Sequence, residues 1–326
     1  MKYGLINLVI CFFVAIAIAP LIIQWLRKIK FGQNILIYVE KHKSKQGTPT
    51  MGGIIFIASS VVGYFTFIDN NNTMATISIL SLLFFGIVGF LDDYIKIKYH
   101  QNEGLKPYQK IVGQLGISIA IALFVYYSKL NAGIINIPFS NKTIDIGFWI
   151  IPFVIFVYLA IVNGVNLIDG LDGLCAGVTS VVMLTLIIIF YIVSSEWDGT
   201  IFAEYGNLEI VSMGVVGGLL GFMVYNGYPA KIFMGDTGSL ALGGYLASMV
   251  VLTRNYLLIC IVGIAYVLTV VSVIMQVGYY KLTHKRIFKM APLHHHFEQY
   301  CNENKVVSIY ILITLIVGIL TISLYL

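Results

Sequence analysis

Ten apolar runs dominate the chain, at residues 4–26, 51–68, 75–91, 111–130, 148–168, 174–194, 209–225, 238–253, 256–280 and 305–325. A helix needs about 20 mostly apolar residues to cross the hydrocarbon core of a bilayer. Backbone in lipid must also satisfy its own polar groups, which leaves helices or closed β-barrels. Barrel strands are about ten residues of alternating polarity, whereas these runs are longer and apolar on every face. The sequence therefore predicts an all-α, polytopic integral membrane protein with ten transmembrane helices. Composition agrees: 59% of the residues are hydrophobic and 11% charged, against about 25% charged in a soluble domain. The first run is too long for a signal-peptide core and lacks a small-residue cleavage site, so it is expected to remain as a helix.

Charge sets the expected topology. The loops at 27–50, 92–110, 169–173, 226–237 and 281–304 alternate with the other connections and hold 15 of the 20 Lys and Arg residues. Cytoplasmic loops collect positive charge, so these five face the cytoplasm and both termini lie outside. The net charge of +5 is then a matter of topology and of attraction to anionic headgroups, and no nucleic-acid partner is implied. The four cysteines, Cys11, Cys175, Cys260 and Cys301, have no CxxC spacing. Neither a zinc site nor a disulfide framework is indicated. Without an internal repeat or a low-complexity linker, residues 1–326 read as a single helical domain with its chemistry on the cytoplasmic loops.

Each cytoplasmic loop carries an unusual cluster. The segment KSKQGTPTMGG (43–53) is either a backbone-donor loop for anions, with Lys43 and Lys45 nearby, or a plain loop that starts a helix. It lacks the GxxxxGK[ST] pattern of a P-loop. The segment LDDYIK (91–96) puts Asp92 and Asp93 four and three residues before Lys96. Such spacing allows ion pairs on a helix, and an interfacial helix end with a snorkelling lysine reads the same way. In NGVNLIDGLDGL (163–174), Asn163, Asn166, Asp169 and Asp172 recur every third residue along one broad face. Two Asp-Gly turns account for DGLDG, but not for asparagines inside an apolar run, which need partners there. In YNGYPAKIFMGDTGS (225–239), Asp236 is either a metal ligand in a Gly-flanked turn or an ordinary helix N-cap. Phe233 is either interfacial packing or a flat surface for a base. In APLHHHFE (291–298), His294, His295 and His296 suit phosphate contact, metal ligation or acid–base work, though no zinc spacing is present.

Sidedness joins these clusters. Five of the eight aspartates, Asp92, Asp93, Asp169, Asp172 and Asp236, fall at cytoplasmic helix ends. Carboxylates with few other ligands suit Mg²⁺, which keeps waters and commonly binds substrate phosphates. Phosphoryl transfer asks mainly for positioning and charge neutralisation. The residues therefore point to a cytoplasm-facing Mg²⁺–phosphate site in a membrane enzyme. A transporter would place ionisable groups near the midplane, and the apolar runs hold no Asp or Glu near their centres.

In their order, GTPTMGG, LDDYIK, NGVNLIDGLDGL, NGYPAKIFMGDTGS and APLHHHFE resemble the phospho-N-acetylmuramoyl-pentapeptide transferase family. That family is a branch of the polyprenyl-phosphate N-acetylhexosamine-1-phosphate transferase superfamily. The aspartate motifs are common to the superfamily, while GTPTMGG and PLHHHFE favour this branch over sister enzymes that load N-acetylglucosamine-1-phosphate. The resemblance implies Mg²⁺-dependent transfer from UDP-N-acetylmuramoyl-pentapeptide to undecaprenyl phosphate, giving lipid I and UMP, at the bacterial cytoplasmic membrane. It implies Asp236 as the leading metal ligand, with Asp92 and Asp93 as further candidates. Asp92 is expected to deprotonate or orient the lipid phosphate. Lys45, Lys96 and Lys110 would neutralise phosphate, and His294, His295 and His296 would contact phosphate or order the metal site. Asn166, Asp169, Asp172, Asn226 and Phe233 would form the uridine end. A homodimer is a further family expectation.

Overall fold

A computed structural model describes residues 1–29, 47–68, 72–99, 101, 104–128, 133–140, 142–194 and 199–326. Among them are α1 (Lys2–Lys28), α2 (Gly53–Phe67), α3 (Thr73–Lys98), α4 (Pro107–Tyr127), α5 (Ile150–Ile168), α6 (Leu174–Ser194), α7 (Thr200–Asn226) and α8 (Gly235–Leu252). The chain continues through α9 (Leu258–Val262), α10 (Ile264–Thr283), α11 (Leu293–Glu298) and α12 (Glu303–Ser323). The apolar runs form helices because their backbone can be satisfied within each segment. The ends are fixed by local chemistry. Asn72 caps α3 by accepting from the Ala75 N–H at 3.1 Å. Glu204 of α7 accepts from the next free donors, Thr73 N at 3.0 Å and Met74 N at 2.7 Å. Pro107 opens α4, where its missing N–H costs nothing.

Several expectations from the sequence change. The fold is not purely helical: β1 (Ile134–Asn136) and β2 (Thr143–Asp145) form an antiparallel hairpin between α4 and α5, with Ile135 opposite Ile144. The run at 256–280 is broken at Gly263 into α9 and α10, and a Cβ at Gly263 would lie 2.6 Å from the Ile259 carbonyl oxygen. Asp92 and Asp93 belong to α3, which continues to Lys98, so they lie on a helix rather than in a loop. Among the described residues, eight helical segments are long and apolar enough to cross a membrane: α1, α3, α4, residues 147–168 including α5, α6, α7, α10 and α12. The shorter α2 has 15 residues, and α8 combines apolar residues with Ser, Thr and Gly.

The bundle is organised around α7 and α8. Helix α7 packs against α1, α2 and α6, while α8 packs against α3, α5 and α2. Every residue of α8 from Thr237 to Leu252 is buried, as expected of a helix enclosed on all sides. Small residues allow this. Gly53 of α2 meets Gly238 of α8 backbone to backbone, and Gly89 of α3 abuts the carbonyl of Asp236. Such contacts let membrane helices approach closely. At one end of the bundle the C-termini of α3, α5 and α7 gather with the N-termini of α2, α4, α8 and α12. This end carries the five aspartates and the histidines. Gly89 lies on α3 one turn before Asp92 and Asp93, so its lack of a side chain decides how close their helix comes to α8. Gly89→Val should therefore separate the helices, lowering stability by about 1–3 kcal/mol and abolishing turnover. A wild-type melting temperature in detergent together with wild-type turnover would contradict this packing.

Candidate active site

Asp93 faces the N-terminus of α8. Its Oδ1 accepts from Asp236 N at 3.2 Å, and its Oδ2 accepts from Thr237 N at 2.9 Å and Thr237 Oγ1 at 2.7 Å. A carboxylate on α3 thus caps α8, satisfying free N–H donors and matching the positive helix end. Gly235, at φ 73°, turns the chain into the helix. A side chain there would crowd Asp93 Oδ2 and Thr50 Oγ1. Of the two readings of Asp236, the N-cap one therefore does not hold: Asp93 caps the helix, leaving Asp236 in its first turn.

Around Asp236 the charges converge. Asn166 Nδ2 donates to its Oδ1 at 2.7 Å and to Ser239 Oγ at 2.8 Å. Lys96 Nζ and Lys110 Nζ donate to its Oδ2 at 3.0 and 2.8 Å. Lys96 also lies 2.5 Å from Asp92 Oδ2 and 3.7 Å from Asp93 Oδ1. Both pairings that the spacing allows are therefore made. Asp92 is 3% exposed, covered by Gly104 and Leu105, whose N–H donates to Asp92 Oδ1 at 2.9 Å. Oxygens of Asp92, Asp93 and Asp236 lie within 4.8 Å of one another. Three carboxylates against two ammonium groups leave one formal negative charge. The ammonium of Lys96 stands where it meets all three carboxylates, so the centre is shaped for a cation. An all-oxygen donor set of this kind fits Mg²⁺.

The other expected residues divide into two groups. Asn166 belongs with Asp236. Asn226 and Asp172 instead join the turn at 169–173 to the loop before α8. Asn226 Oδ1 accepts from Gly173 N at 3.1 Å and its Nδ2 donates to the Ile232 carbonyl at 3.0 Å. Asp172 Oδ2 accepts from Ala230 N at 3.0 Å, and Asp172 N donates to Glu303 at 2.7 Å. Phe233 is half-buried in that loop. Asp169 keeps part of its surface accessible, but protein encloses its carboxyl group. Burial, and then the negative charges of Asp236, Asp93 and Asp172, push it well above the usual carboxylate range. Asn163 is explained by packing, since it donates to Gln114 of α4 at 2.8 Å.

The segment GTPTMGG does not offer all its backbone donors to an anion. Gly52 N and Gly53 N donate to the carbonyls of Phe233 and Met234 at 2.8 and 3.0 Å, and Phe233 N donates to Pro49 O at 2.8 Å. The motif fastens the Asp236 loop. Lys45 lies outside the described residues. The three histidines of α11 point different ways. His294 is fully buried, and neither ring nitrogen has a hydrogen-bond partner among the described residues. Burial, reinforced by His295, pushes its pKa down to about 3. His295 pairs with Glu298 at 3.0 Å. His296 Nδ1 accepts from Lys289 N at 3.2 Å, bracing the loop before α11. Residues 169–173 meet the first two histidines at Gly170, where a side chain would strike both rings. Glu298, Glu303 and Gly89 were not singled out from the sequence. Glu298 alone had a local signal, three residues after His295 in the same motif.

Known proteins match along nearly the whole chain. A family model described as Glycosyl transferase family 4 matches residues 75–254. A phospho-N-acetylmuramoyl-pentapeptide-transferase signature matches residues 45–57. The phospho-N-acetylmuramoyl-pentapeptide-transferase of Clostridium novyi (strain NT) is 43% identical over 97% of this chain and 95% of its own length. That of Clostridioides difficile (strain 630) is 44% identical over 95% of this chain and 94% of its own. That of Desulfitobacterium hafniense is 41% identical over 96% and 94%. With its carboxylate–lysine cluster at one end of a membrane bundle, this chain belongs to the phospho-N-acetylmuramoyl-pentapeptide transferase family.

Proposed function

We propose that the chain transfers phospho-N-acetylmuramoyl-pentapeptide from UDP-N-acetylmuramoyl-pentapeptide to undecaprenyl phosphate, releasing UMP and forming lipid I. The observation that carries this reading is the meeting of Asp92, Asp93, Asp236, Lys96 and Lys110 at the end of a membrane-spanning helix. One substrate is confined to the bilayer and the other is a soluble nucleotide, so chemistry must occur at the interface. The lysine-rich loops at this end support a site on the cytoplasmic side of the bacterial cytoplasmic membrane. Ten crossings with both termini outside suit the helices if α8, whose 18 residues span about 27 Å, and α2, whose 15 residues span about 22 Å, join the eight longer segments. A homodimer is part of the same proposal.

Asp236 and Asp92 would hold Mg²⁺, with Asp93 bracing Asp236 through the N-terminus of α8. The bound ion would offset charge on the diphosphate and the departing UMP. Lys96 and Lys110, now paired with carboxylates, would turn to phosphate oxygens as substrate and metal arrive. Asp92 would orient the lipid phosphate or take its proton. A phosphate with a second pKa near 6 is already largely ionised, so positioning matters more than proton transfer. Direct attack is favoured over an aspartyl-phosphate intermediate. An ionised lipid phosphate is already a competent nucleophile, and a carboxylate intermediate would add a step without an evident need. His294, His295 and His296 would serve the phosphate side. Asn166, Asp169, Asp172, Asn226 and Phe233 would shape the nucleoside end, with Lys45 as a further phosphate contact.

Lipid-dependent UMP release should be seen with UDP-N-acetylmuramoyl-pentapeptide, should require Mg²⁺, and should be absent with UDP-N-acetylglucosamine offered in parallel. The reverse preference would assign the chain to a sister activity. Asp236→Asn should abolish release without lowering the melting temperature in detergent, and turnover near wild type at saturating Mg²⁺ would remove Asp236 from the metal shell. Phe233→Ala should weaken binding of the UDP substrate by about 1–3 kcal/mol, the usual worth of an aromatic stack on a base. Calorimetry that finds unchanged affinity would rule out stacking.

A further inference from the structure

The three histidines of α11 are consecutive, so successive rings point about 100° apart around the helix. His294 turns into the bundle, and its ring lies 4.5 Å from that of His295, centroid to centroid. His295 is held by Glu298, whose Oε2 lies 3.0 Å from His295 Nδ1. Glu298 is only 3% exposed. A buried carboxylate needs a charged or hydrogen-bonding partner, and the imidazole supplies one. The contact also sorts the two ring nitrogens. With Nδ1–H donated to the carboxylate, Nε2 is the nitrogen on the far side of the ring. It points at the turn that carries Asp169, where a Cβ on Gly170 would lie 2.7 Å from it. His294 Nε2 reaches the same place, but burial and the neighbouring His295 outweigh the charge of Glu298 and keep that ring neutral. The two neighbours are thus made chemically different by their surroundings.

We infer that Glu298 is a positioning residue for the transfer reaction: it fixes the orientation and tautomer of His295, so that Nε2 is aimed past Gly170 at the substrate diphosphate. When Nε2 carries a proton it donates to a phosphate oxygen, and the Glu298 carboxylate balances the resulting charge. His295 touches the substrate; Glu298 acts through His295. This rests on the proposed reading that the histidines serve the phosphate side. Glycine at 170 fits the same geometry, because a Cβ there would strike Nε2 of both rings.

Glu298→Gln keeps the shape and removes the charge. In the full-length, detergent-solubilised enzyme with Mg²⁺ and both substrates, it should lower kcat about 10–100-fold, the usual cost of losing an outer carboxylate behind a working histidine. The KM for the UDP substrate and the melting temperature should stay at wild-type values. A purely structural role would not give the second signature: in a His295→Gln background, Glu298→Gln should cost little more, because the proposed route through His295 is already gone. Wild-type kcat for Glu298→Gln overturns the inference, and so does an equal loss in both backgrounds. Joint loss of substrate affinity and melting temperature in Glu298→Gln also overturns it, in favour of a role in folding alone. Wild-type kcat for His295→Gln overturns both this inference and the histidine–phosphate reading, while leaving the Asp236 assignment standing.

Discussion

The contact between α3 and the N-terminus of α8 governs the rest of the site. A charged carboxylate, Asp93, is buried there because it caps the first N–H groups of another helix. That cap is possible only because Gly89 lets the two backbones touch. Once the contact is made, Asp92 and Asp236 stand side by side. Two like charges so close in a partly dehydrated place repel each other, and Lys96 and Lys110 must lie among them. The same local negative charge that brings the lysines in makes the place receptive to a divalent cation.

The remaining motifs mostly hold this centre still. The GTPTMGG segment fastens to the backbone at Phe233 and Met234, just before Asp236. Asn226 and Asp172 tie the DGLDG turn to the same loop. Asn166 and Ser239 fix one oxygen of Asp236 through a short amide chain. Substrate binding and turnover are then separable in principle. The proposed nucleoside end is built from loops braced by amides, and the proposed reacting end from carboxylates and ammonium groups on helices. A rigid arrangement of charges is what phosphoryl transfer most requires.

Much of this was legible in the sequence. Apolar runs gave the helices, and lysine distribution gathered the aspartates and histidines on one side. The spacing of Asp92, Asp93 and Lys96 foretold their ion pairs. What was not legible depends on partners distant in sequence. Asp93 caps a helix 143 residues further on, so nothing local distinguishes it from Asp92. Asn166 is expected at the nucleoside end only through the family resemblance, and its spacing from Asp169 and Asp172 says nothing of a contact with Asp236. Its actual partner, Asp236, is 70 residues away. The glycines of GTPTMGG read equally as anion donors or as a helix start, and only the carbonyls opposite them decide between the two. Gly263 interrupts an apolar run without changing its hydropathy, so the break between α9 and α10 left no trace in composition. Glu298 was hidden by three more conspicuous neighbours.

A cation bound between Asp92 and Asp236 is the central requirement of the proposed mechanism. Mn²⁺ is an oxygen-loving stand-in for Mg²⁺, and its paramagnetic resonance spectrum reports binding without any turnover. With UMP present, the wild-type protein in detergent should immobilise Mn²⁺, and added Mg²⁺ should displace it. Asp92→Asn and Asp236→Asn should each weaken that binding, while Phe233→Ala at the nucleoside end should leave the metal signal in place once UMP is saturating. Undiminished Mn²⁺ binding in the Asp92→Asn, Asp236→Asn double variant would contradict the account.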